Sequence, residues 1–260
     1  MFLAPPLLAA TLAIVFVAAL IRATWGFGDA VVGVPSLTLL IGMQVAAPTL
    51  VLVSVALSLL LLRERPSLID RRAVIRLLLG ALIGIPLGLY VLTEVPELWA
   101  RRGLGVLLAA FAIVSLIRAR RSNRGPDPDP DPELASAPAP ASAKTRLLDL
   151  GFGALAGASN AAFDISGPVL LVHASARKWT PDQLRMNLQA VFLPLALLTM
   201  IGHAVSGLWT REVGLLALCC VPSVIVAVVL GARLRAKLDG QRGVVVLYGL
   251  ILALAVLMFR

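Results

Sequence analysis

Two stretches of an otherwise apolar chain carry carboxylates beside glycines and a proline: GFGDAVVGVP at 26 to 35, with Asp29, and GASNAAFDISGP at 157 to 168, with Asp164. A charged group inside a membrane-length apolar region is costly and marks a functional position by default. Glycine permits an unwound turn and proline cannot continue a helical ladder, so each stretch predicts a helix break that releases backbone N–H groups. A helix N-terminus carries about half a positive charge, and two such ends facing each other would cradle an anion. Beside the breaks, Thr24, Ser159, Asn160 and Ser166 can donate hydrogen bonds to oxyanion oxygens, and Trp25, Phe27 and Phe163 can shape a cavity. Gly26, Gly28, Gly33 and Gly167 complete the expected substrate-contacting set, although small residues also serve simply to let helices approach.

Carboxylates repel an anion unless protonated, so Asp29 and Asp164 either carry a proton or cap the freed N–H groups. Gln44, Asn187 and Gln189 flank the breaks as secondary contacts. His203, near the end of a long apolar run, either joins in proton movement or packs. The two histidines lie far apart and Cys219 and Cys220 are adjacent, so no metal-ligand spacing exists and no cofactor is expected. Gly26, Gly28 and Gly33 fit neither the dinucleotide nor the ATP-binding glycine pattern.

The elements that must position these residues are membrane helices. The chain has 260 residues, of which 59% are hydrophobic and only 14% charged, with a mean hydropathy of +0.94, far from the make-up of soluble domains. Apolar runs cover about 7–21, 30–42, 45–62, 73–93, 102–118, 147–158, 165–175, 186–206, 212–232 and 243–259, several of them near the ~20 residues that a bilayer core demands. They are Leu, Ala and Val stretches rather than alternating segments, which disfavours a barrel. The opening MFLAPPLLAATLAIVF lacks a basic leader region and reads as a first membrane segment, not a removable signal.

The polar piece between the halves is rich in Pro, Asp, Ala and Ser and reads as a disordered cytoplasmic linker. Three units follow: a first transmembrane repeat at 1–120, the linker at 121–144 and a second repeat at 145–260. Pro35 and Pro48 match Pro168 and Pro181 at one offset of 133, and RRGLGVLLAAF (101–111) matches QRGVVVLYGLI (241–251) at 140. The expected architecture is all-α, with two inverted-topology repeats, each a broken, re-entrant pair of short helices followed by three transmembrane helices.

Charge orients the chain. With the linker in the cytoplasm, 18 of the 23 Lys and Arg fall inside, leaving Arg22, Arg101, Arg102, Arg211 and Arg260 external or ambiguous. Both termini then lie outside. The net charge of +9 is explained by this orientation, so a nucleic-acid partner gains no support. The Gly80, Gly84 and Gly88 series reads as helix packing.

The paired GFGDAVVGVPSLTLL and GALAGASNAAFDISGPVLLVHASARKWTPDQLRMNLQAVFLP resemble the sulfite exporter TauE/SafE family, also called TSUP, over almost all of the chain except the linker. The resemblance implies a multi-pass permease of duplicated design in a bacterial inner membrane, exporting or importing a small sulfur-containing anion, an organosulfonate or a carboxylate. Protons are an expected second partner. Two other readings stay open: an intramembrane serine hydrolase using Ser159 and His203, and a non-transporting membrane scaffold.

Overall fold

In the computed structural model, residues 4–61, 68–122, 143–177, 179–235 and 241–259 are described. They form ten helices and, among the described residues, no strand: α1 (Pro5–Trp25), α2 (Asp29–Ile41), α3 (Met43–Leu61), α4 (Arg71–Thr93), α5 (Glu97–Ser122), α6 (Ala143–Phe163), α7 (Gly167–Arg177), α8 (Pro181–Val205), α9 (Arg211–Arg235) and α10 (Gln241–Leu257). Most of the linker, 123–142, lies outside the described residues. Six helices are long and apolar enough to cross a membrane, namely α1, α3, α4, α5, α8 and α9. Their outward faces carry Leu, Ile and Val, such as Ile83, Leu218 and Val229, as lipid requires.

The helix starts give a sharper register between the two halves than the prolines do. The starts of α1 and α6 (Pro5, Ala143), of α2 and α7 (Asp29, Gly167) and of α3 and α8 (Met43, Pro181) are each 138 residues apart. The 133 offset is therefore corrected: Pro35 lies inside α2 while Pro168 is the second residue of α7, and Pro48 lies inside α3 while Pro181 starts α8. The helices flanking each break are also unequal. Only α2 (13 residues) and α7 (11 residues) are short; α1 and α6 run 21 residues each.

Packing follows the same register. α1 lies on α9 as α6 lies on α4, α3 meets α9 as α8 meets α4, and α3 meets α8 while α5 meets α10. The halves thus exchange their fourth helices. One apolar core joins α1, α2, α3 and α5 with α9 and α10, and a second joins α6, α7 and α8 with α4.

The α4–α6 contact is the tightest. Gly80, Gly84 and Gly88 on α4 face the carbonyls of Leu150, Ala154 and Ala158, while Gly153 and Gly157 on α6 face those of Leu77 and Ala81. A Cβ at any of the five would overlap backbone, so glycine is required on both sides of this seam. This is packing by small residues.

Candidate functional site

Each break is three residues long, 26–28 and 164–166, and each begins in the left-handed region, at Gly26 (φ 88) and Asp164 (φ 52). The first closes with the Gly26 N–H donating to the Arg22 carbonyl at 2.7 Å, the second with the Asp164 N–H donating to the Asn160 carbonyl at 2.6 Å. Breaking the ladder orphans further carbonyls, and α8 satisfies them. Gln189 Nε2 donates to the Gly26 carbonyl at 2.8 Å, and His203 Nε2 donates to the Ala161 carbonyl at 2.8 Å. The first-turn N–H groups of α2 and α7 keep no acceptor within their helices.

The two breaks meet at one cavity of about 20 Å³, lined by Arg22, Gly28, Asp29, Ala30, Val31 and Ser54 and by Asn160, Asp164, Ile165, Ser166, Gly167, Phe192 and Ala196. That is room for a water molecule. Arg22 and Asn160, Gly28 and Ser166, Asp29 and Gly167, and Ser54 and Phe192 are all pairs in the 138 register. The cavity therefore sits where the two halves face each other.

Arg22 organises it. Only 2% exposed, it donates from Nη1 to Asp29 Oδ2 at 2.8 Å and from Nη2 to Ser58 Oγ at 2.6 Å and Gln189 Oε1 at 3.3 Å. Its guanidinium lies 4.8 Å from the Phe192 ring centre, close enough for cation–π attraction. Its Nε–H is buried without a partner. The Ser54 Oγ lies 2.7 Å from Asp164 Oδ2 and 3.4 Å from Asp29 Oδ2, so its single proton serves Asp164 and the two carboxylates share one hydroxyl.

Several of the residues singled out from the sequence come together here. Gly28, Asp29, Asn160, Asp164, Ser166 and Gly167 line the cavity. Asp29 is partnered by the side chains of Arg22 and Ser54 rather than by freed backbone N–H groups. Asn160 Nδ2 donates to Thr199 Oγ1 at 3.1 Å. Gln189 reaches the cluster through Arg22 and Gly26, while Gly26 and Phe27 belong to the break itself.

The others serve the surrounding helices. Thr24 Oγ1 donates to the Leu20 carbonyl and Ser159 Oγ to the Ala156 carbonyl, each within its own helix. Trp25 and Phe163 pack in the first core, and Gly33 lies against Ala18 and Leu50. Gln44 is exposed. Asn187 accepts from the Asp70 N–H at 2.7 Å, tying α8 to the start of α4. Ser159 and His203 each bond a different carbonyl and are not hydrogen-bonded to each other.

Arg22, Ser54, Ser58, Thr199 and Phe192 went unforeseen. The signal for Arg22 was present, since it stands seven residues before Asp29 at the end of an apolar run, but charge counting placed it among external or ambiguous residues. A second buried cluster was also missed. Asp149, fully buried on α6, accepts from Arg76 Nη1 at 3.1 Å and from Arg177 Nη2 at 2.6 Å and Nε at 3.1 Å. His173 Nε2 lies 2.8 Å from the same carboxylate. Arg177 is the last residue of α7 while Asp149 is on the first two turns of α6, so α7 folds back along α6.

A multi-pass helical protein whose two halves each break a helix at a shared buried polar centre has the construction of a membrane permease. The chain belongs to the sulfite exporter TauE/SafE family, whose profile matches residues 11–258. Searches of curated proteins and of solved structures each found no match.

Proposed function

We propose that this protein is a secondary permease that moves a small, sulfur-containing anion, such as sulfite or an organosulfonate, across a bacterial inner membrane by alternating access. The observation that carries this reading is the meeting of both breaks at one cavity beside Arg22, which is the buried cation among the described residues. Two unwound N-termini, a guanidinium and the Ser54 and Ser166 hydroxyls suit an oxyanion. Breaks at matching places in two repeats are the arrangement through which rocking of one repeat against the other exposes a central site to each side in turn.

The fold-back of α7 along α6, and the packing of Gly33 on α2 against Ala18 on α1, support re-entrant pairs. Three helices then follow each pair, the last of the second set, α10, being the shortest at 17 residues, and crossing by all three inverts the second repeat. One guanidinium faces two carboxylates, so the cluster is electrically neutral with one proton aboard, and Asp164, bonded to a hydroxyl instead of a cation, is the carboxylate that carries it. Movement of that proton with the anion would couple transport to the proton gradient.

The test is flux in proteoliposomes for sulfite, thiosulfate, organosulfonates and carboxylates. Saturable flux of a sulfur oxyanion, enhanced by an imposed proton gradient, is the expected result. No flux of any anion from correctly inserted protein would leave the scaffold reading.

A further inference from the structure

Asp29 sits where an anionic guest would be drawn. Its carboxylate holds Arg22 Nη1 at 2.8 Å, and it is the first residue of α2, at the positive end of that helix. Both attractions that the first break offers an oxyanion are thus met by a group of the chain itself. The register makes this specific to one half: the residue matching Asp29 is Gly167 and the one matching Arg22 is Asn160, so neither of those two positions carries a charge in the second half, whose carboxylate is Asp164 bonded to Ser54. The cavity, at about 20 Å³, admits a water molecule and leaves no place for a sulfite-sized anion beside an intact Arg22–Asp29 pair. The buried Nε–H of Arg22, without a partner, is a donor that a planar or pyramidal oxyanion would engage and that Asp29 leaves unused.

We propose that Asp29 is a tethered competitor: the substrate binds by displacing its carboxylate from Arg22, and on release the carboxylate returns. The inference rests on the permease reading and deepens it. The class of ligand follows from the exchange, since what replaces a carboxylate is a small oxyanion with one full charge and at least two oxygens on a single centre, as in hydrogensulfite, a sulfonate or a carboxylate.

The competitor has a kinetic consequence. A carrier that closes around an empty site must not bury an unpaired guanidinium, because an uncompensated buried charge is strongly unfavourable. Asp29 supplies the counter-charge, so the empty carrier can reorient and the protein can carry out net transport. Without Asp29 no carboxylate is bonded to the guanidinium, because Asp164 is held by the Ser54 hydroxyl instead, so the site would close around bound anion and transport would become exchange.

The experiment compares wild type with Asp29→Asn, using sulfite and methanesulfonate as probes on the purified full chain, with calorimetry for binding and proteoliposomes for flux. Asn keeps the shape and can still accept from Nη1 through its carbonyl. The expected result is binding of sulfite that is tighter by about tenfold or more, with net efflux strongly reduced and exchange of labelled for unlabelled sulfite retained. Unchanged or weaker binding, or undiminished net efflux, overturns the competitor. If the folded wild type and the folded variant both bind neither probe, the permease site itself is overturned. Should Asp29→Asn fail to fold, infrared difference spectra of the wild type decide: sulfite must perturb a carboxylate band, and spectra with no carboxylate change overturn the proposal.

Discussion

Gly26 and Asp164 occupy the same place in the two halves, each the left-handed residue that closes a broken helix with a bond to the carbonyl four residues earlier. Glycine adopts that conformation freely, whereas aspartate there is strained. Asp164 is the one non-glycine residue with positive φ among the described residues. The second half thus keeps a carboxylate, bonded to Ser54, at a position where the first half has the relaxed residue. Asp164→Gly should leave thermal stability within about 1 kcal/mol of wild type, since relief of strain offsets the lost hydrogen bond. Proton-driven uphill transport should be abolished. A variant that still concentrates substrate under a proton gradient would remove Asp164 from coupling.

Arg22 bonds three groups, from α2, α3 and α8, through one planar fork. Lysine keeps the charge but cannot present donors in that plane. Arg22→Lys should therefore lower substrate affinity by about 1.5–3 kcal/mol, as expected for loss of charge-assisted bonds, and lower the melting temperature by several degrees. Wild-type affinity in the lysine variant would mean that charge alone recruits the anion and that the guanidinium geometry is dispensable.

At the α4–α6 seam, a methyl group on Gly84 would overlap the Ala154 backbone, whereas Gly103 on α5 opens onto free space. Gly84→Ala should destabilise the protein by about 1–3 kcal/mol through overpacking. Gly103→Ala should be neutral or stabilising by up to about 1 kcal/mol. Thermal melts of the two variants in one detergent give the comparison; equal melting temperatures would contradict the rigid seam.

The ten apolar runs match ten helices because a bilayer leaves the backbone few alternatives, so hydropathy alone reads the elements well. The breaks were equally legible from Gly26, Gly28 and Ser166-Gly167-Pro168. What failed was long-range. Apart from the carboxylate seven residues on, nothing local distinguishes Arg22, which ends an apolar helix like an interfacial charge, from Arg101, which does belong near a helix start. Its burial depends on Asp29, Ser58 and Gln189 arriving from three other helices. Thr24 and Ser159 misled for a related reason, since a hydroxyl near a break can bond its own helix and leave the cavity to its neighbours. The proline offset misled because proline is tolerated at a helix start and inside a membrane helix alike, so its positions differ between the halves while the helix starts keep one spacing.

Orientation is the remaining structural consequence, and the ion pair between Arg177 and Asp149 bears on it directly. Arg177 ends α7 and Asp149 lies near the start of α6, so the end of α7 lies beside the start of α6, as the proposed re-entrant pair requires. In that proposal α8 crosses alone, and the turn between α8 and α9 is expected on the opposite face from Ala143. The distribution of basic residues leads us to expect Ala143 in the cytoplasm. In a background with Cys219 and Cys220 replaced by alanine, Ser206→Cys should react with an impermeant thiol reagent in intact cells, while Ala143→Cys should react only after the membrane is opened. Both positions are exposed, so lack of labelling reports sidedness rather than burial. The reverse pattern would invert the orientation and keep the re-entrant pair. Labelling of both cysteines from one face would show that α6 and α7 together cross the membrane, and the inverted repeat would fall with the hairpin.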